Sequence, residues 1–189
     1  MLIAFYKPFG VLSQFSLEVG SDYLTLAEFS FPKNVYPLGR LDADSEGLLL
    51  LTDEPELNHK LLNPQFNHRR TYWAQVENVP SEESLHTLQK GITIQGYTTL
   101  PCKAVLLSPP PQVSERKPPI RFRATIPTSW IELELTEGKN RQVRRMTAAV
   151  GHPTLRLIRV KIGGLSLGDL TAGAWRELNT TERQMVFLP

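Results

Sequence analysis

Short apolar or alternating runs, each cut off by glycine, proline, asparagine or aspartate, recur along the whole chain. This pattern constrains the fold most. Runs of about four to eight residues suit strands and are too short for most helices. Leu2 to Tyr6 is apolar and aromatic, followed by a Lys7-Pro8-Phe9-Gly10 turn. Val35 to Leu38, Leu48 to Thr52, Ile92 to Ile94 and Lys103 to Ser108 read as further strands. Thr71 to Glu77 alternates, with Tyr72, Ala74 and Val76 on one face and Trp73, Gln75 and Glu77 on the other. Arg121 to Ile126 and Trp130 to Thr136 suggest an antiparallel pair, and Leu155 to Ile162 alternates before Gly163-Gly164. Helical spacing is confined to Thr25–Phe29, Glu56–Leu62, Ser81–Gln89 and Asn140–Val150. Ser81 opens its helix as a cap, and Gly91 and Gly151 close theirs. Many strands with few helices between them indicate an α+β fold with a largely antiparallel sheet.

At 189 residues the chain is expected to form one domain, or one domain in two lobes. Its longest aliphatic run, Leu48 to Leu51, is far too short to cross a bilayer. Lys7 and Pro8 interrupt the N-terminal apolar run, unlike a signal peptide. One cysteine, Cys102, allows no internal disulfide and no cysteine-rich zinc site. These features point to the cytoplasm. Charge is informative only locally. Lys plus Arg is 21 and Asp plus Glu is 19, for a net +2. The segment Glu137 to Lys161 holds seven basic residues and one acid, so it carries +6 and the remainder −4. A second patch, Arg116, Lys117, Arg121 and Arg123, lies in and just beyond a proline-rich stretch, Pro109 to Pro119. Concentrated arginine on a near-neutral chain reads as a footprint for a polyanion, against the plainer reading of solvated surface.

Between Tyr36 and Leu48, three carboxylates fall within five positions, Asp42, Asp44 and Glu46. As a calcium loop, Asp42-x-Asp44-x-Glu46-Gly47 starts well. It then fails, with four leucines at loop positions seven to ten and Asp53 where a bidentate glutamate is needed. As a plain turn, Asp44, Ser45 and Glu46 would be solvated and would cap backbone amides. As a reactive site, Asp42 would face the same side of an extended segment as Arg40. A guanidinium beside a carboxylate favours its ionised form, ready as nucleophile or base.

The stretch Gly39-Arg40-Leu41-Asp42-Ala43-Asp44-Ser45-Glu46-Gly47-Leu48-Leu49-Leu50-Leu51-Thr52 resembles the catalytic aspartate motif of RNA pseudouridine synthases, in the RsuA branch. Arg70-Thr71-Tyr72 followed by Val76 resembles that branch's second motif. Glu137-Gly138-Lys139-Asn140-Arg141-Gln142-Val143-Arg144-Arg145-Met146 resembles its third, and Leu155-Arg156-Leu157-Ile158-Arg159 with Gly163 and Leu167 its closing strand. The four motifs lie in order across nearly the whole chain. Asn140-Arg141-Gln142 stands where many relatives carry an aromatic residue and histidine before glutamine. That form, with Ile126-Pro127-Thr128-Ser129-Trp130 ahead of it, is similar to the type E large-subunit members. Ala4-Phe5-Tyr6-Lys7-Pro8 already resembles the start of the catalytic domain, which implies no N-terminal S4 domain.

The resemblance implies two lobes of mixed, largely antiparallel sheet flanked by helices, with a basic cleft between them. It implies isomerisation of a uridine in large-subunit (23S) ribosomal RNA with no metal or organic cofactor; a monomer is expected. The alternatives are action on another RNA, or a non-catalytic rRNA-binding factor in ribosome assembly. Asp42 is the implied essential carboxylate, Tyr72 the residue that stacks on uracil, and Arg144 the partner of Asp42. Arg40, Lys139, Arg141, Gln142, Arg145, Arg156 and Arg159 are the implied RNA contacts. In helical register Arg141, Arg144 and Arg145 lie near one face, with Val143, Met146 and Val150 on another.

Overall fold

The computed structural model describes residues 1–17, 20–63, 65, 67–120 and 125–188. In chain order these form β1 (Leu2–Lys7), a 3-10 turn (Leu26–Phe29), β2 (Tyr36–Leu38), β3 (Glu46–Thr52), α1 (Glu56–Leu62), β4 (Arg70–Glu77) and α2 (Glu82–Lys90). There follow β5 (Thr93–Ile94), β6 (Tyr97–Thr98), β7 (Lys103–Leu106), β8 (Thr128–Leu135), α3 (Gln142–Ala149), β9 (Thr154–Ile162), β10 (Leu165–Ser166), β11 (Trp175–Glu177) and α4 (Thr180–Val186). The fold class is α+β. Strand pairs are mostly antiparallel, and β3 with β9 is a parallel exception. The chain divides into two compact units, Met1–Arg69 with Ile158–Pro189, and Arg70–Leu157. Strand β9 passes from one to the other.

The first unit is organised around β3. Its neighbours are β1, antiparallel from Leu2↔Thr52 to Lys7↔Gly47, β2, antiparallel from Tyr36↔Thr52 to Leu38↔Leu50, and the Ile158–Arg159 part of β9. All seven residues of β3 are buried. An interior strand covered on both faces loses the apolar–polar alternation, which is why Leu48 to Leu51 reads as one aliphatic run. One face packs Leu48 and Leu50 with Leu2, Ala4, Leu57, Leu61, Ile162 and Val186. On β1, Phe5 packs against Phe29 and Phe31, with ring centroids 4.9 and 5.0 Å away, and Phe31 reaches Trp175 at 5.8 Å. Helix α4 carries a capping box, Asn179 with Glu182, that went unread in the sequence.

Arg183 of α4 grips Glu54 with two parallel hydrogen bonds of 2.8 Å each. With the N-terminal ammonium at 2.7 Å, this holds the Glu54 carboxyl down at about 2. Because the folded value lies below the ordinary one, the stabilisation is complete above pH 4.5 and drains away as pH falls towards 2. Glu54→Gln is expected to cost about 1 kcal/mol at pH 7, since the pair is partly solvated. In urea titrations the gap between variant and parent should close across that acid window. A gap independent of pH would mean that packing, not charge, holds this junction.

The second unit stacks β7, β8 and β4 antiparallel, β8 in the middle. Strand β8 therefore pairs Ile131 with both Ala74 and Leu106. Of the hairpin expected from Arg121 to Thr136, Arg121 to Ala124 lie outside the described residues, and Thr125 and Ile126 form turn and bend. The alternation of β4 holds. Ala74 and Val76 are fully buried in a core with Leu88, Ile131, Leu133, Val143, Met146 and Leu157, and Tyr72 packs against it. On the other face, Trp73 Nε1 donates to Glu132 Oε2 at 3.1 Å and Thr71 Oγ1 to Glu134 Oε2 at 3.4 Å. The alternation read into β9 fails: Arg156, Leu157, Ile158 and Arg159 are all buried in succession.

Candidate active site

The acidic turn lies in the first unit, between β2 and β3. Leu41 is buried, while Arg40 is exposed and Asp42 half-buried, the alternation of an extended segment. Asp42 then opens a β-turn, its carbonyl accepting from the Ser45 N–H at 3.0 Å. The solvated-turn reading fails for Ser45 and Glu46, which are 2% and 3% exposed. Glu46 begins β3, and an aqueous role is closed to it there.

Lys7 explains how that acid is accommodated. It ends β1 fully buried, and its Nζ donates to Val11 O at 2.7 Å, Pro8 O at 2.9 Å and Ala43 O at 3.5 Å. Burial pushes the Lys7 ammonium down to about 7, against the opposing pull of the Glu46, Asp44 and Asp42 carboxylates. Nearby Arg159, 5% exposed, donates Nε to Leu48 O at 2.8 Å. Two enclosed cations and the Glu46 carboxylate thus sit beside the turn that carries Asp42. Neither Lys7 nor Ser13, which hydrogen-bonds Leu41, was read as functional. A lysine ending an apolar strand was the available signal for the first. Ser13 gave none, because its partner is 28 residues away.

In the second unit, α3 starts two residues later than its sequence pattern. Arg141 occupies the N-cap position in the left-handed region, φ 51°, and gives no side-chain cap. The first turn holds no acid, and Lys139, Arg141, Arg144 and Arg145 gather around the positive end of the helix. Val143 and Met146 anchor the helix in the core, as expected. Arg144 is half-buried and donates Nη1 to Thr154 O at 3.2 Å. Arg145 donates Nη2 to Asn140 Oδ1 at 2.8 Å, and Lys139 and Arg141 are exposed.

Three expected RNA contacts lie inside instead. Gln142 is 4% exposed; its Oε1 accepts from the Lys139 N–H at 3.0 Å and its Nε2 donates to Glu137 Oε1 at 2.6 Å. Arg156, 5% exposed, donates Nη1 to Ser114 O at 2.8 Å and so ties down the proline-rich excursion. With Arg159 on Leu48 O, all three hold backbone or loops in place. A phosphate ligand needs its donors at the surface, and these have been turned inward. In the second patch, Arg116 donates to Pro118 O and Pro119 O, Lys117 is exposed, and Arg121 and Arg123 lie outside the described residues.

A model of the family described as RNA pseudouridylate synthase matches residues 1–149. The ribosomal large subunit pseudouridine synthase E of Xanthomonas axonopodis pv. citri (strain 306) is 52% identical over 170 residues, 90% of this chain and 90% of that one. The enzyme of the same name from Vibrio vulnificus (strain CMCP6) is 48% identical over 178 residues, 94% of this chain and 75% of its own. A crystal structure of a pseudouridylate synthase superposes with a TM-score of 0.80 at 27% identity, over 98% of this chain and 73% of that one. Among the described residues no helix is long and apolar enough to cross a membrane. With the Gly39-Arg40-Leu41-Asp42 turn presented as described, and with that breadth of likeness, the chain belongs to the RNA pseudouridylate synthase family.

Proposed function

We propose that this chain isomerises a uridine of large-subunit ribosomal RNA to pseudouridine. The observation that carries the reading is identity above one half, over nine-tenths of both chains, to an enzyme named for that subunit. The chemistry is balanced without a co-reactant. The C1′–N1 bond of uridine breaks, the uracil turns, C1′ bonds to C5, and the proton lost from C5 is matched by one gained at N1. Asp42 serves it as the carboxylate, either attacking C1′ or taking a proton from C2′. A carboxylate suits a sugar carbon that gains positive character. A single one suffices, because no water enters and the leaving base is recaptured.

The motif likeness supports a role for Tyr72 in stacking on uracil and for Arg144 as partner of Asp42. The target must leave its stack, at a cost of a few kcal/mol that is smaller for an unpaired base. Exposed Arg40 is suited to fill the space so vacated. Lys139, Arg141 and Arg145, around the start of α3, supply phosphate contacts that position RNA without reading its sequence. Gln142, Arg156 and Arg159 act one step back, by holding the loops and strand that carry these groups.

The test is direct. Purified protein is incubated with a large-subunit rRNA transcript and, separately, with small-subunit rRNA, and pseudouridines are mapped on both. The expected result is one or a few modified positions in the first alone. An unmodified large-subunit transcript together with a modified small-subunit one would overturn the assignment of substrate.

A further inference from the structure

Asp42 lies in a loop, and a loop carboxylate meets one ribose atom reproducibly only if its backbone is fixed. The fixation comes from the Lys7–Ser13 segment. Ser13 is 4% exposed. Its Oγ donates to the Leu41 carbonyl at 2.8 Å and accepts from the Leu41 N–H at 3.0 Å. One hydroxyl therefore holds both backbone groups of the residue before Asp42. The residue after it is held as well, since Ala43 O accepts from the Gly10 N–H at 2.8 Å and from Lys7 Nζ at 3.5 Å. The donor segment is itself anchored. Leu12 N–H donates to Leu24 O, Leu24 N–H to Gly10 O, and Leu26 N–H to Gln14 O.

We propose that Ser13 is a positioning residue for Asp42, its hydroxyl clamping Leu41 while Gly10 and Lys7 clamp Ala43, so that the carboxylate between them is delivered at a fixed place. This rests on the reading of Asp42 as the reacting carboxylate. Ser13 is the part of the bracket that a side-chain change can remove. The hydrogen bond from Gly10 is made by backbone, and Lys7 also binds Pro8 and Val11. A hydroxyl both donates and accepts in this geometry; alanine does neither, and a thiol of similar size does both weakly. Free of the clamp, Leu41 and the carboxylate beside it shift. A misplacement of about 1 Å is enough to cost about 100-fold in rate.

Single-turnover and steady-state rates on rRNA, with thermal melting, test this in Ser13→Ala, Ser13→Thr and Asp42→Asn. In Ser13→Ala, kcat is expected to fall about 10- to 100-fold with KM changed less than about twofold, while the protein stays folded at the assay temperature. Ser13→Thr restores the hydroxyl and should recover most of the rate. Rescue of that kind, and a loss confined to kcat, would not follow from a merely structural serine. Unchanged kcat in Ser13→Ala, or equal losses in the alanine and threonine variants, overturns the proposal. Should Ser13→Ala unfold, Ser13→Cys keeps the volume and is expected to show the same loss of kcat; full activity there would overturn it too. An active Asp42→Asn would bring down the reading of Asp42 itself. An inactive Asp42→Asn beside a fully active Ser13→Ala would remove only the role of Ser13.

Discussion

Asp42→Asn should fold, bind RNA and make no pseudouridine. The substitution keeps side-chain size and shape and removes the charge. Ser13 holds Leu41, Gly10 and Lys7 hold Ala43, and the Ser45 N–H holds the Asp42 carbonyl, each through backbone atoms of the turn. These bonds do not involve the carboxylate, so the fold should persist in the variant. Binding should also persist, because the RNA contacts are assigned to Arg40, Lys139, Arg141 and Arg145. The chemistry has no such reserve. A neutral amide neither attacks a sugar carbon nor removes a ribose proton, and no second carboxylate is assigned to the step. A fall of at least about 1000-fold is expected, equivalent to about 4 kcal/mol of lost transition-state stabilisation. Pseudouridine mapping after long incubation checks it, with circular dichroism and RNA titration of the same preparation. Product formed at a tenth of the parent rate would assign the chemistry to another group.

Much of the fold was legible where its causes are local. Helix α1 spans the Glu56–Leu62 stretch that its spacing indicates, and Ser81 caps α2 by accepting from the Ser84 N–H. The two faces of β4 follow from alternation alone, because one side meets the core and the other water. Legibility ends where partners are distant. That β8 lies between β4 and β7 is a matter of pairing across many tens of residues, which no local pattern encodes. The burial of β9 on both faces likewise depends on what flanks it. Asn179 and Glu182 spell out the start of α4 locally, as a capping box. At the candidate site, the Gly-Arg-Leu-Asp turn stands out by composition. The split between surface and interior arginines does not, because a guanidinium suits a phosphate and a backbone carbonyl equally well. Arg159 and Arg145 differ in what the fold places around them, a buried strand for the first and Asn140 for the second.

Gly47→Ala is expected to be among the most damaging single-methyl changes in the first unit. Gly47 lies in β3, five residues beyond Asp42, paired with Lys7 on one side and Arg159 on the other. Its φ is +105°, a conformation that alanine adopts only under strain. An added Cβ would also stand 2.3 Å from Arg159 O and 2.7 Å from Arg159 N, both backbone atoms in a paired strand. Rotation of a side chain cannot relieve that contact; β3 and β9 must part. Strain costs about 1–3 kcal/mol and enforced overpacking about as much again, so the sum approaches half the stability of an ordinary domain. For a chain of this size it should lower the melting temperature by roughly 10 °C or more. Gly168→Ala separates the two causes. Gly168 has φ +59° but nothing within 4 Å of an added Cβ, so it carries strain without collision. Its loss should stay near 1 kcal/mol. Equal losses in the two variants, measured by urea and thermal denaturation, would show that the close approach of β3 to Arg159 does not govern this strand pair. A Gly47→Ala chain that still folds should lose activity beyond its loss of stability, because the same displacement moves Glu46, Lys7 and the turn that bears Asp42.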